Sequence, residues 1–204
     1  MKEYPTISPS RQYGTPVYGF DKLDGSNVRA EWDRKKGFWK FGKRHGLLDD
    51  SNPHLTLAES LIQDTYGSAL GKIFKAERWT EATAFFEFWG SRSFAGSHVE
   101  GDDFRVTLFD VSVLKKGFLE PRAFLKLFKD VPHAELLFQG NFNHEVEQEI
   151  REGRLEGMTF EGVVCKGACV SPGRPLMFKV KSQAWFDKLK DYCKGDETLF
   201  EKLA

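Results

Sequence analysis

Several things are scarce in this 204-residue chain, and each shortage removes a class of protein. There are three cysteines, Cys165, Cys169 and Cys193. So small and odd a count cannot form a disulfide framework, and the fold must rest on apolar packing. Cys165-x3-Cys169 has no matching Cys or His pair, and His45, His54, His98, His133 and His144 show no ligand spacing, so no zinc site is expected. No apolar run approaches the ~20 residues of a membrane helix. Met1–Pro5 lacks the apolar stretch of a secretion signal, so the expectation is a cytoplasmic protein without membrane contact. An excess of one charge is also missing, since 30 Lys+Arg balance 30 Asp+Glu. Taken alone, that balance argues against a polyanionic partner. Repeats, low-complexity tracts and a Pro/Ser-rich linker are absent, which leaves one domain over residues 1–204.

What is present is a large apolar complement, 40% of the chain with 19 Phe, enough for a real core. Strands are expected at Pro16–Lys22, Asn27–Asp33, Phe38–Lys43, Thr83–Trp89 and Phe104–Leu114, with Arg34–Gly37 a turn. Leu55–Lys75 has helical apolar spacing interrupted near Gly67, and Pro121–Phe128 and Asn143–Leu155 are expected helices. Two further strands, Gly162–Lys166 and Leu176–Lys181, flank a Gly/Pro loop at Gly167–Pro175, and Trp185–Cys193 forms a closing helix. Strict βαβ alternation is absent, so the expected class is α+β, mostly antiparallel mixed sheets flanked by helices. Charge is unevenly placed. Arg34–Arg44 holds six bases and no acid, interleaved with Phe38, Trp39 and Phe41, while acids gather in the helix around Glu147. Bases interleaved with aromatics suit phosphates and nucleobases, so neutrality overall does not exclude nucleic acid.

Chemistry concentrates in one series. Lys22-Leu23-Asp24-Gly25 ends a strand in a tight turn and holds a lysine at a cleft edge. A lysine becomes a nucleophile only when its surroundings free the amine. Glu87 stands alone in the apolar strand Phe85–Trp89, Phe109-Asp110 pairs an aromatic with an acid, and Glu161-Gly162 opens a strand. Lys179 and Lys181 share one strand face. Buried strands seldom carry charge without a reason. Gly37–Lys43 has P-loop spacing, but Arg44 follows where Ser or Thr is needed, and three aromatics cannot cradle phosphate.

This ordered series resembles the covalent nucleotidyltransferase superfamily of ATP-dependent polynucleotide ligases and capping enzymes, and its nucleotidyltransferase (ATP-grasp-like ligase core) domain. Ser26-Asn27 after the lysine turn, with Gly42–Gly46 as a basic segment, is similar to the RNA ligase 2 group of phages and editing ligases. The resemblance implies an RNA ligase that uses ATP and Mg²⁺ or Mn²⁺. Lys22 would form lysyl-AMP, the AMP would pass to a 5′-phosphate end, and a 3′-hydroxyl would displace it, as in RNA repair. It implies that Lys179 and Lys181 neutralise the α-phosphate and lower the pKa of Lys22, and that Glu161 holds the metal. Glu87 and Asn27 would meet the nucleotide, with Glu87 on the ribose, Phe109 would stack on adenine, and Asp21 would sit near its amino group. Arg44 would reach the ribose or the 5′-phosphate. Asp110 is expected to be structural. A DNA ligase, or a nucleotide or nucleic-acid binder that stops at AMP transfer, remains open, and Asn27 disfavours a capping guanylyltransferase. Only 23 residues follow Lys181, so neither an OB-fold nor a helical C-terminal domain is expected. The implied protein is a monomer in the cytoplasm (the host's, if phage-encoded), with a protein partner as one way to replace that domain.

Overall fold

The computed structural model describes residues 2–49, 53–91, 93 and 103–203. Among the described residues, nine strands form two antiparallel sheets. β1 (Pro16–Asp21), β7 (Leu136–Asn141), β8 (Gly162–Ser171) and β9 (Arg174–Lys181) make a four-stranded sheet in the order β7-β1-β8-β9. β2 (Ser26–Asp33), β3 (Gly37–Lys43), β4 (Glu81–Trp89), β5 (Arg105–Val113) and β6 (Gly117–Phe118) make the other, ordered β3-β2-β4-β5-β6. The expected α+β class is the observed one. The chain crosses from one sheet to the other between β1 and β2, at Lys22–Gly25.

The period of two along each strand sorts side chains onto opposite faces. On the five-stranded sheet, Val28, Ala30, Trp32, Ala82, Ala84, Phe86 and Phe88 join one buried cluster with the long helix α1 (Pro53–Ile62) and α2 (Ser68–Ala76). The interruption expected near Gly67 is a π-helical turn at Gln63–Gly67, so the two helices run on rather than break. Its reason lies in the buried stripe Ala58, Ile62, Tyr66, Leu70 and Phe74, spaced by four. In an α-helix such a stripe drifts about 40° per step, and a wider turn takes some of that drift back. Leu57, in the apolar pattern, is 46% exposed instead. The four-stranded sheet packs Val17, Val163, Cys165, Phe178 and Val180 against Phe142, which follows β7, and against Ile150 of α4 (His144–Arg151), with Asn143 capping that helix by accepting from the Val146 amide at 2.9 Å. Its opposite face looks toward the five-stranded sheet, and the functional cleft opens between them.

Several elements differ from expectation: β6 is not among the expected strands, and α4 ends at Arg151 rather than Leu155. The Gly167–Pro175 loop is mostly strand, because Cys169 pairs with Pro175 and Ser171 with Arg174 across an irregular register. β7 is an unexpected edge strand, half-buried with no alternation to betray it. α5 (Gln183–Cys193) is the closing helix, but α6 (Glu197–Leu203) follows it. The helix α3 (Pro121–Leu127) starts on its proline as expected. No described helix is long and apolar enough to cross a membrane.

Candidate active site

The turn after β1 is built by close packing. A Cβ on Gly25 would lie 2.3 Å from the Phe88 carbonyl oxygen, so only glycine lets β2 enter against β4. Gly162, at φ +141°, likewise leaves no room, since a Cβ would meet the Val180 oxygen at 2.1 Å. The Lys22 amide donates to the Gly162 carbonyl at 2.9 Å. The two glycine turns therefore dock on adjacent strands and bring Lys22 and Glu161 together. Lys22 Nζ lies 2.7 Å from Glu161 Oε2, and Lys181 Nζ lies 3.5 Å from Glu161 Oε1.

Lys22 borders a cleft of about 570 Å³, within the ordinary range for a small-molecule site, while Glu161 and Lys181 lie behind it and are not part of its wall. Of the expected site residues, Asp21, Lys22, Asn27, Arg44, Glu87, Phe109 and Lys179 line it. Asn27 sits opposite Glu87 in the β2–β4 register, and its amide oxygen is buried with no hydrogen-bond partner. An orphaned acceptor beside an acid suits a donor-rich ligand. Phe109 is the extra residue of a bulge, since Phe85 pairs with Asp110 and Phe86 with Leu108. Bulges re-aim side chains, and this one puts the ring on the cleft wall. Arg44 stands exposed at the rim. Asp21 is buried and accepts from both the Thr159 amide and hydroxyl, at 3.1 and 3.2 Å. Lys181 is set back from the cleft, its ammonium 3.4 Å from the centre of the Trp185 ring.

The electrostatics depart from expectation at Lys22. Burial pulls its pKa down, but Glu161, Glu87 and Asp24 outweigh that and raise it above the ordinary lysine value. The nearby lysines do not set it, because the acids are closer in effect. Those lysines are themselves shifted. Burial, Lys22 and Arg44 lower Lys179, against an opposing pull from Glu161, and Lys181 falls to about 8, chiefly by burial. Glu87 rises to about 8 by burial, reinforced by Glu161 and Asp24 and opposed by Lys22. At neutral pH it carries a proton and can donate as well as accept.

Two parts of the site carried too little signal to be foreseen. Lys166, 4% exposed, donates to the Phe109 carbonyl at 2.6 Å and to Asp110 Oδ2 at 3.0 Å, so it holds the bulge in place. Its hint was a charge in the apolar run Val163–Cys165. The segment 2–10 also crosses between the sheets. Tyr4 donates to Asp110 at 2.8 Å, its ring abuts Phe109 edge-on at 5.0 Å, and Arg29 donates to the Lys2 carbonyl at 3.0 Å. Asp110, bound by Lys166 and Tyr4 and 1% exposed, has the structural place expected of it.

Among the described residues, no cluster of three His, Cys, Asp or Glu side chains could hold a metal by itself, and His98 lies outside them. Mg²⁺, however, commonly takes one or two carboxylates plus phosphate and water, and the Glu161 carboxylate is a hard oxygen donor of that kind, so the residues fit a cation arriving with a nucleotide.

No family model matches the chain, and no curated protein matches it. Solved structures do. An archaeal ATP-dependent RNA ligase has a TM-score of 0.68 at 17% identity, covering 95% of this chain and 52% of that one. A Naegleria gruberi RNA ligase with PPi has 0.62 at 20% identity, covering 93% and 60%. A variant of the Naegleria enzyme with ATP and Mn has 0.61 at 18%, covering 88% and 52%. The chain shares its fold with part of these solved structures. The chain spans between 52% and 60% of the length of these ligases.

Proposed function

We propose that the protein is an ATP-dependent RNA ligase that passes through lysyl-AMP on Lys22. The observation that carries this is the convergence of Lys22, Glu87, Lys179 and the orphaned Asn27 oxygen on one cleft of nucleotide size, with Glu161 paired to Lys22 behind its wall. In the first step the Lys22 amine attacks the α-phosphorus of ATP. A nitrogen–phosphorus bond forms, the bond to the bridging oxygen breaks, and pyrophosphate leaves with its electron pair. Lys22 starts as an ammonium and must lose a proton first, with Glu161 2.7 Å away as the group beside it. Glu161 would hold a divalent cation, which would supply charge neutralisation on the phosphates and on that carboxylate. Lys179, in the cleft, meets phosphate charge, while Lys181 acts through Glu161 and Trp185 as a positioning residue. Phe109 stacks on the base, and Glu87 and Asn27 hydrogen-bond the nucleoside. Arg44 at the rim receives the ribose or the 5′-phosphate end. Sealing then follows by transfer of AMP to that phosphate and its displacement by a 3′-hydroxyl.

The test is transfer of label from α-labelled ATP to the protein with Mg²⁺ or Mn²⁺, followed by addition of 5′-phosphorylated nicked RNA or DNA duplexes. Labelled adduct in the wild type and none in Lys22→Ala is the expected result. The raised Lys22 pKa further predicts a labelling rate that climbs with pH through the alkaline range. Labelling retained in Lys22→Ala sinks the assignment. Adduct formation without sealing of either duplex would instead leave an enzyme that stops at AMP transfer.

A further inference from the structure

A second cavity of about 680 Å³ opens on the same face of the five-stranded sheet, at the far end of its strands. Trp39, Lys36, Lys2, Lys116, Thr83 and Glu31 are among its walls. The edge strand β3 runs from this cavity to the cleft. Trp39 and Lys36 stand at one end, and Lys43 and Arg44 at the other. At about 3.3 Å per residue, Trp39 and Arg44 are about 17 Å apart along the strand.

Trp39 is unusual among the tryptophans. It is 47% exposed, whereas Trp32, Trp79 and Trp185 are all below 5%. Lys36 Nζ lies 4.1 Å from its ring centre and Lys40 Nζ 5.6 Å. Two of the acids along this edge are engaged by the edge itself. Asp33 accepts from the Lys35 and Lys36 amides at 2.8 and 3.1 Å and so shapes the turn, and Asp49 pairs with Lys43 at 3.1 Å. Glu31 and Glu81 stand on the cavity wall, but Arg34–Arg44 itself carries six bases and no acid. An exposed indole face flanked by ammonium groups matches a nucleobase with phosphates on either side, because the base stacks while its backbone is neutralised.

We propose that the β3 edge is a rail for the RNA strand whose end enters the cleft. One base stacks on Trp39, and Lys36 and Lys40 meet the flanking phosphates. This assignment of the strand rests on the ligase reading, but the surface is testable without catalysis. Fluorescence anisotropy of a labelled, 5′-phosphorylated single-stranded RNA of about 12 nucleotides, with no ATP, reads binding to the full chain. Trp39→Ala is expected to weaken binding about 10-fold and Trp39→Phe, which keeps a stacking face, less than about twofold. Lys36→Glu with Lys40→Glu is expected to weaken binding and reduce the salt slope by roughly one per lost phosphate contact. All three variants are expected to keep wild-type labelling by ATP, since none borders the cleft. Equal affinity for Trp39→Ala and wild type overturns the rail, and so does an equal loss in Trp39→Ala and Trp39→Phe. If the wild type takes no label from ATP while Trp39→Ala still loses RNA affinity, the ligase reading fails and the rail stands.

Discussion

The two faces of the five-stranded sheet are made by the same strands and use burial in opposite ways. On the helix face, Val28, Ala30, Phe86 and Leu108 are 0% exposed and bring no charge. On the cleft face the neighbouring positions are Asn27, Arg29, Glu87 and Asp110, with Arg29 and Asp110 at 2% and 1% exposed. Burying apolar area stabilises at about 25 cal/mol per Å², whereas burying a charge costs stability unless a partner offsets it. The cleft face is thus kept polar at a cost to the fold, which the helix face supports. The cleft face is itself divided. Asp110 and Lys166 satisfy each other, while Glu87 and Asn27 are left incompletely matched, which is where a ligand's groups would add most.

The sharpest break of this comparison comes from the helix face. Phe86→Ala should cost about 3–5 kcal/mol, read as a fall in urea midpoint, because the ring is fully buried against Tyr66. Lys166→Met, on β8 opposite the cleft face, should come next at about 3 kcal/mol, because it strands the buried Asp110 charge. Lys166→Met with Asp110→Asn should recover part of that loss in a double-mutant cycle, and no recovery would mean that the pair is not coupled. Glu87→Gln should move stability the other way. The folded state holds the Glu87 proton up to about 8 against an unfolded value near 4.5. Its contribution to stability is therefore full below about 4.5 and lost as pH rises through about 8. Glutamine stays neutral, so its melting temperature should exceed wild type at pH 9 and match it near pH 4, while AMP labelling drops. The smallest effect is expected from Lys43→Ala. Its pair with Asp49 is exposed, so stability should change by less than about 0.5 kcal/mol in a urea titration.

Much of the fold and most of the cleft were legible because strand alternation and charges stranded in apolar runs are local signals. Glu87 between Phe86 and Phe88 is the plainest case, an acid set between two aromatics in an apolar run. β7 was not legible, because Leu136–Asn141 lies at a sheet edge and is half-buried along most of its length. The far half of β8 was hidden for a related reason. Its small and exposed residues read as loop, and only pairing with β9 makes them strand. Tyr4 gave no signal at all, because its bond to Asp110 joins residues 106 positions apart.

By itself the sequence determined the order of the chemistry: a lysine turn at Lys22, isolated acids at Glu87 and Glu161, an aromatic at Phe109, and lysines two apart at Lys179 and Lys181. Only the tertiary structure decided their balance. It set Lys22 against Glu161 and so raised a pKa expected to fall, turned Lys181 onto Trp185, and pinned the Phe109 bulge with Lys166. The physical reason is range. Side-chain periodicity is settled between neighbours along the chain, whereas the field at a buried charge sums over every group that folding brings near it.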